Sequence, residues 1–295
     1  MRNLIIFVFL FLLISISISK ATVNVVVSTY EGLVLAADSR LTLTDIEKQA
    51  DSVITTDSMD IVTKVYIIKE KEKQRVASDY SKKIFQIGTS VGVTCSGVGF
   101  LYNELGNNSS IKGIIEDFRV QEGISDLSAI PIEKAVSRLK VFMENLYKNQ
   151  PRNKDKGTLR LIICGYDENK KRRIFDFYMP QDTVLPRFGQ GIPGSLVSGQ
   201  DDVFSRLIKG FDASLLDSKI YSENQEIFSE LRYDIRYDLM SLQDAVDFAL
   251  FIVRATIEAQ RFNQKASMGV GGDIDIAVIT PDGFRWIQKK ELHGE

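Results

Sequence analysis

Thr22 stands where an apolar leader ends. A threonine that begins a chain holds two reactive groups in one residue: a hydroxyl nucleophile and a free α-amine that can take its proton, directly or through a water. The unperturbed amine titrates at about 7.7–8.0, so a useful fraction is neutral at physiological pH. A lysine cation nearby would lower the amine further, and a carboxylate would hold that lysine charged and oriented. Asp38 and Arg40 close a strand-like run, and Lys83 opens another. Gly97 lies between a strand pattern and a helix pattern, where a backbone N–H can face a developing oxyanion. Taken singly these residues are ordinary. Asp38 and Arg40 read as a strand-end ion pair, Lys82-Lys83 as a solvated strand edge, and Ser96-Gly97-Val98-Gly99 as a turn.

The composition removes several other chemistries. His293, near the C-terminal end, is the single histidine of 295 residues. That argues against a Ser-His-Asp triad, a Cys-His pair and a multi-histidine metal site, and leaves an amine or a carboxylate as the base. Cys95 and Cys164 each sit in an apolar run and read as unpaired core residues; their pairing stays open at this level. The formal net charge of −2 offers no basic excess for nucleic acid. With 44% hydrophobic and 26% charged residues, the chain can bury a core without staples.

The leader has the layout of an export signal. Arg2 gives a positive start, and Leu4 to Ile18 is apolar apart from Ser15 and Ser17. Such a run falls short of the roughly 20 residues that span a bilayer. Ser19 and Ala21 are small residues at positions −3 and −1 of a cut that frees Thr22. Residues 1–21 are therefore read as a signal peptide, and 22–295 as one exported domain, periplasmic or extracellular, with no stable membrane span after processing. Losing Arg2 and Lys20 takes the charge to about −4. A retained anchor, or a cytoplasmic chain with a self-cleaved propeptide, are the competing readings.

Hydrophobic patterning supplies the elements that must hold these residues. Thr22 to Ser28 and Leu33 to Ala37 flank Tyr30-Glu31-Gly32 as a hairpin. Residues 41–80 are polar and read as an insertion, with one alternating stretch around Ile61 to Ile68. Lys83 to Gly88 and Val91 to Ser96 form a second hairpin, and a helix is expected near 99–120. A helix over 131–149 starts on Pro131, strands span 159–164 and 173–178, and 181–194 reads as loop. A short strand over 196–199 leads to a helix start at Asp201-Asp202. A long helix fits 241–261 with Ser241 as N-cap, and strands over 274–279 and 284–287 close the chain. Hairpins outnumber β-α-β crossovers, so largely antiparallel sheets are expected, facing each other with helices outside.

TVNVVVSTYEGLVLAADSR resembles the opening hairpin of proteasome β-type subunits: the sixteen-residue step from Thr22 to Asp38, and two more to Arg40, match without gaps. KKIFQIGTSVGVTCSGVG resembles the next hairpin of that family, which puts Lys83 on its catalytic lysine and Gly97 on its oxyanion-hole glycine. LVSGQDDVFSRLI resembles the small-residue turn before the third helix, placing Ser198 on the family's active-site serine, and GGDIDIAVITPDG resembles the last strand pair. The resemblance runs from residue 22 to about 287 and leaves 41–80 unmatched.

That resemblance implies an α+β fold, a four-layer αββα sandwich of two antiparallel sheets of the N-terminal nucleophile (Ntn) hydrolase type. It implies peptide-bond hydrolysis through a threonyl ester, no metal or organic cofactor, and assembly into homo-oligomeric rings. Hydrolysis of a small amide and a non-catalytic ring subunit are the alternatives. One departure stands out. The family places an aspartate and a serine just before the Gly-Gly of its last segment, whereas Val270 directly precedes Gly271-Gly272 and no aspartate lies between Arg261 and Gly272. Asn263 or Ser267 are the available substitutes. Thr22→Ala and Lys83→Ala are both expected to abolish activity and leave stability nearly unchanged.

Overall fold

A computed structural model describes residues 22–56, 62–189, 191–262 and 269–291, with the backbone alone over 44–74. The leader, Asn263, Ser267 and His293 lie outside the described residues. β1 (Val23–Ser28) turns into β2 (Leu33–Asp38), and a long ribbon of β3 (Leu41–Thr56) and β4 (Val62–Ser78) follows. β5 (Ile84–Ile87) pairs with β6 (Val91–Gly97), and a small hairpin of β7 (Phe100–Tyr102) and β8 (Asn108–Ser110) precedes α1 (Ile111–Gln121). Then come α2 (Ile132–Asn149), β9 (Leu159–Tyr166), β10 (Arg172–Met179), β11 (Thr183–Arg187) and β12 (Gly194–Gly199). The short helices α3 (Asp202–Phe204), α4 (Lys219–Glu223) and α5 (Gln225–Glu230) lead to α6 (Leu242–Phe262) and a last hairpin, β13 (Ile274–Thr280) and β14 (Gly283–Gln288).

The fold is α+β with antiparallel sheets. One five-stranded sheet runs β12-β1-β2-β13-β14, and a second runs β11-β10-β9-β6-β5. Every pairing within them is antiparallel. The alternation of side chains along a strand decides what each face meets. Val23, Val25 and Val27 of β1 pack with Ala245, Ala249, Ile252 and Val253 of α6. Val26, with Leu33 and Leu35 of β2, packs instead with Ile162, Cys164 and Ile174 of the second sheet. A third cluster joins α1 and α2 to that sheet through Phe118, Leu139 and Phe142 against Phe85, Val93 and Phe177. Each such fully buried side chain contributes about 1.5–3 kcal/mol. Because both faces of β1 and β2 are covered, their sequences read as nearly unbroken apolar runs.

Local signals set the helix ends. Ser241 Oγ accepts the Asp244 N–H at 3.1 Å while the Asp244 carboxylate accepts the Ser241 N–H at 2.9 Å, a reciprocal cap that starts α6. Two expectations need correction. The helix expected near 99–120 begins only at Ile111, because Asn103 Oδ1 accepts the N–H groups of Leu105 and Asn107 and turns the chain into the β7–β8 hairpin. The loop expected over 181–194 contains β11, which pairs with β10. Pro186 is tolerated there because β11 is an edge strand and needs no donor on its outer side. The insertion at 41–80 forms the β3–β4 ribbon. Both cysteines are buried and free.

Candidate active site

Thr22 lies at the mouth of β1, nearly buried, in the wall of a cleft of about 250 Å³. Its carbonyl accepts the Gln200 N–H at 2.6 Å. Gly199 lies flat against it at φ +81°, where a Cβ would come within 1.9 Å of the Thr22 carbonyl oxygen. A side chain at 199 would push Thr22 out of place. The β1–β2 register sets Asn24 opposite Ala37, so Asp38 at the end of β2 comes beside the first residues of β1.

Asp38 is the hub. Its Oδ1 accepts both the Val23 N–H at 2.9 Å and the Lys83 ammonium at 2.7 Å. Its Oδ2 accepts the Gly271 N–H at 3.0 Å and the Arg40 N–H at 3.2 Å. The Asp38 side chain is fully buried and that of Lys83 is 5% exposed. Burial pushes the Lys83 ammonium below its ordinary pKa, and the Asp38 charge and hydrogen bond oppose the shift. The result is a lysine held against Thr22's end of the cleft by its ion pair with Asp38.

Gly97 ends β6 at φ +89° and lines the same cleft, with Thr158 pressed so close that a Cβ would fall 2.0 Å from its carbonyl oxygen. Ser198 is buried on β12 opposite Asn24. The Asn24 amide donates to Ser198 Oγ at 3.2 Å and to the Cys95 carbonyl at 2.7 Å, tying the first sheet to β6 of the second. Arg40 points elsewhere. Its guanidinium forks onto Asp79 at 2.6 and 3.1 Å and packs on Gly271, where a Cβ would lie 2.5 Å from Cζ. The Asp79 hydrogen bond holds Arg40 above its ordinary pKa, and Arg40 holds the Asp79 carboxyl below its own. Thr22, Lys83 and Gly97 thus wall the cleft and Asp38 stands directly behind. Ser198 is reached through Asn24, and Arg40 buttresses the far side of Asp38.

Several site residues were not read from the sequence. Asp79 belongs to the insertion set aside as unmatched. Asn24 interrupts the valine run of β1, the one signal that could have marked it. Near the last strand pair, the Gly271 N–H meets Asp38, and the Val270 carbonyl accepts from Arg40 at 3.4 Å. This loop therefore ties itself to the hub through its backbone. The base of the ribbon also belongs to the site: Leu41, Thr42, Ser78 and Tyr80 wall the cleft. Cys95 lines it too, and burial pushes its thiol up to about 12, so it holds almost no thiolate at neutral pH. Among the described residues no group of three or more His, Cys, Asp or Glu is placed to hold a metal ion, and no helix is long and apolar enough to cross a membrane.

No family model matches the chain, and no curated protein matches it. Solved structures do match. Anbu (ancestral beta-subunit) from Yersinia bercovieri gives a TM-score of 0.50 at 15% identity, over 91% of this chain and 88% of that one. The Gly-1 mutant of Anbu from Hyphomicrobium sp. strain MC1 gives 0.50 at 15% identity, over 91% and 86%. At this identity the likeness bears on the fold alone. It corrects the family expected from the sequence: the structural neighbours are Anbu proteins, proteasome-like but a distinct family, so the chain is not assigned to the proteasome β-type subunits.

Proposed function

We propose that this chain is an N-terminal threonine hydrolase that cleaves peptide bonds once residues 1–21 are removed. The observation that carries the reading is Asp38 Oδ1, shared between the first peptide N–H after Thr22 and the buried Lys83 ammonium at the wall of one cleft. In the processed chain the Thr22 hydroxyl attacks the substrate carbonyl carbon, and its proton passes to the neutral α-amine. The Lys83 charge keeps that amine in its basic form. The Gly97 N–H stabilises the tetrahedral oxyanion. The protonated amine then gives its proton to the departing amine, leaving a threonyl ester that water hydrolyses. Asp38 orients Lys83, Arg40 braces Asp38, and Ser198 supports the Thr22 end of β1 through Asn24.

The same reading takes the two sheets and their flanking helices as a four-layer αββα sandwich of the Ntn type. It takes the leader as an export signal cut after Ala21, and the working form as a homo-oligomer, since the structural neighbours are named as subunits. The test is direct. The full chain is expressed in an exporting bacterium, its first residue is read by N-terminal sequencing and intact mass, and it is treated with an electrophile that closes a ring on both hydroxyl and amine. A chain beginning at Thr22 that takes one adduct there and cleaves peptides is expected. A folded chain beginning at Thr22 that takes no adduct and cleaves no peptide overturns the reading.

A further inference from the structure

The walls of the cleft beside Thr22 include Lys82, Lys83 and Lys112 and, among the described residues, no aspartate or glutamate. A second hollow of about 280 Å³ shares Tyr80, Lys82 and Lys112 with the cleft and adds Trp286, Lys289, Lys290 and Asp275. Two of these five lysines meet a carboxylate. Lys83 is on Asp38, and Lys290 donates to Asp275 at 3.1 Å and to the Ser81 carbonyl at 2.5 Å. Lys82, Lys112 and Lys289 have no carboxylate partner among the described residues.

Their placement crowds like charges. Lys82 Nζ stands 5.8 Å from the Phe85 ring and 5.9 Å from the Trp286 ring, and Lys289 Nζ stands 5.4 Å from the same indole. Burial pushes the Lys82 pKa down, Lys289, Lys112 and Arg119 push it further, and Glu116 opposes. Glu116 is itself bonded to Arg119 at 3.2 Å. Half-buried Lys82, with the exposed Lys112 and Lys289 around it and no fixed counter-charge among the described residues, forms a region of positive potential that an anion relieves. The chain as a whole is slightly acidic, so this is a local feature and not a general basic surface. The region opens onto the wall that carries the threonine.

We propose that Lys82, Lys112 and Lys289 form a groove for acidic peptide segments. It gives the hydrolase reading, on which it rests, a substrate class: peptides with Asp or Glu side chains flanking the bond that is cut. A carboxylate meeting two or three ammonium groups forms charge-assisted hydrogen bonds, which are the stronger kind.

Binding is measured apart from chemistry, on processed Thr22→Ala protein, by fluorescence anisotropy of a labelled Glu-rich decapeptide and its Gln counterpart. The Glu peptide is expected to bind about tenfold more tightly, with the advantage fading as salt rises. Lys82→Gln/Lys112→Gln is expected to remove the advantage, with melting curves checking the fold. Lys289→Gln gives a second reading should Lys82→Gln disturb the packing on Phe85. Equal binding of the two peptides overturns the groove, and so does a preference that survives these substitutions. A labelled oligonucleotide that binds where the Glu peptide does not also overturns it. A lysine-dependent Glu preference with no cleavage by the Thr22 chain leaves the groove standing and removes the peptidase. Cleavage of Glu and Gln peptides with equal kcat/KM does the reverse.

Discussion

Asp38 and Lys83, forty-five positions apart in the chain, meet at 2.7 Å with both side chains buried. This changes the expectation that Lys83→Ala is neutral for stability. Removing the ammonium leaves a buried carboxylate without its counter-charge, a loss of about 3–5 kcal/mol where nothing else compensates. The three backbone N–H groups on Asp38 keep the loss at the low end of that range. Chemical denaturation of Lys83→Ala is expected to show it. The variant is also expected to be inactive under conditions where circular dichroism reports it folded. A stable Lys83→Ala protein, or an active one, would count against the role given to the pair. Thr22→Ala leaves this pair intact and keeps the original expectation: no activity and a stability change of about 1 kcal/mol or less.

The fold was legible where one rule acted alone. Val23–Ser28 and Leu33–Asp38 announce themselves as buried strands, and Ser241 announces the start of α6. The β7–β8 hairpin was hidden because it depends on one asparagine side chain turning the backbone, and β11 because Gly and Pro around it mimic a loop. Within the site, the chemistry of a chain-terminal threonine and the resemblance of the two opening hairpins singled out Thr22, Asp38, Lys83 and Gly97, which the structure gathers at or behind one cleft. Arg40 was expected to pair with Asp38 through its side chain. Instead its backbone N–H does so, and its guanidinium takes Asp79 from the insertion. No local pattern encodes that pairing, because Asp79 reaches Arg40 only after the chain has run the length of the ribbon and returned.

Gly97→Ala tests the strand end that faces the cleft. A Cβ at φ +89° would both strain the backbone and meet the Thr158 carbonyl oxygen at 2.0 Å. The β6 end must shift, and its N–H moves with it. The expected result is a fall in kcat of about 10²–10³-fold, the scale of a lost oxyanion donor, with KM much less affected. A purely structural glycine would lower stability and leave the kcat of the folded fraction unchanged.

Asp176 tests whether the second sheet is held in place by charge. Its side chain is fully buried and accepts from Arg160 at 2.7 and 2.8 Å, Arg187 at 2.8 Å and Tyr178 at 2.9 Å. Arg160 also donates to the Val197 carbonyl of the other sheet, next to Ser198. Burial alone would push the Asp176 carboxyl up, but these donors overrule it and hold the group below its ordinary pKa. A carboxyl depressed in the folded state stabilises above its unfolded pKa of about 3.9, and that contribution is lost as pH falls through the folded value. Asp176→Asn is therefore expected to lower the urea midpoint at pH 7. The gap to the parent should persist down to about pH 4.5 and close below about pH 4. A gap that stays constant down to pH 2 would show that Asp176 acts by shape and not by charge.

Cys95 separates the threonine mechanism from a thiol one, since both residues line the cleft. Burial pushes the Cys95 thiol up to about 12, and Lys83 nearby only partly offsets it. The reactive thiolate is then scarce at neutral pH. Iodoacetamide at pH 7.5 is expected to leave both cysteines unmodified in the folded protein and to alkylate them in denaturant. Cys95→Ser is expected to keep kcat/KM within about threefold of the parent and to cost about 1–3 kcal/mol, because a buried hydroxyl there has to find a partner. Loss of hydrolysis in Cys95→Ser, with the electrophile adduct moving from residue 22 to residue 95 in the parent protein, would transfer the nucleophile's role to the thiol.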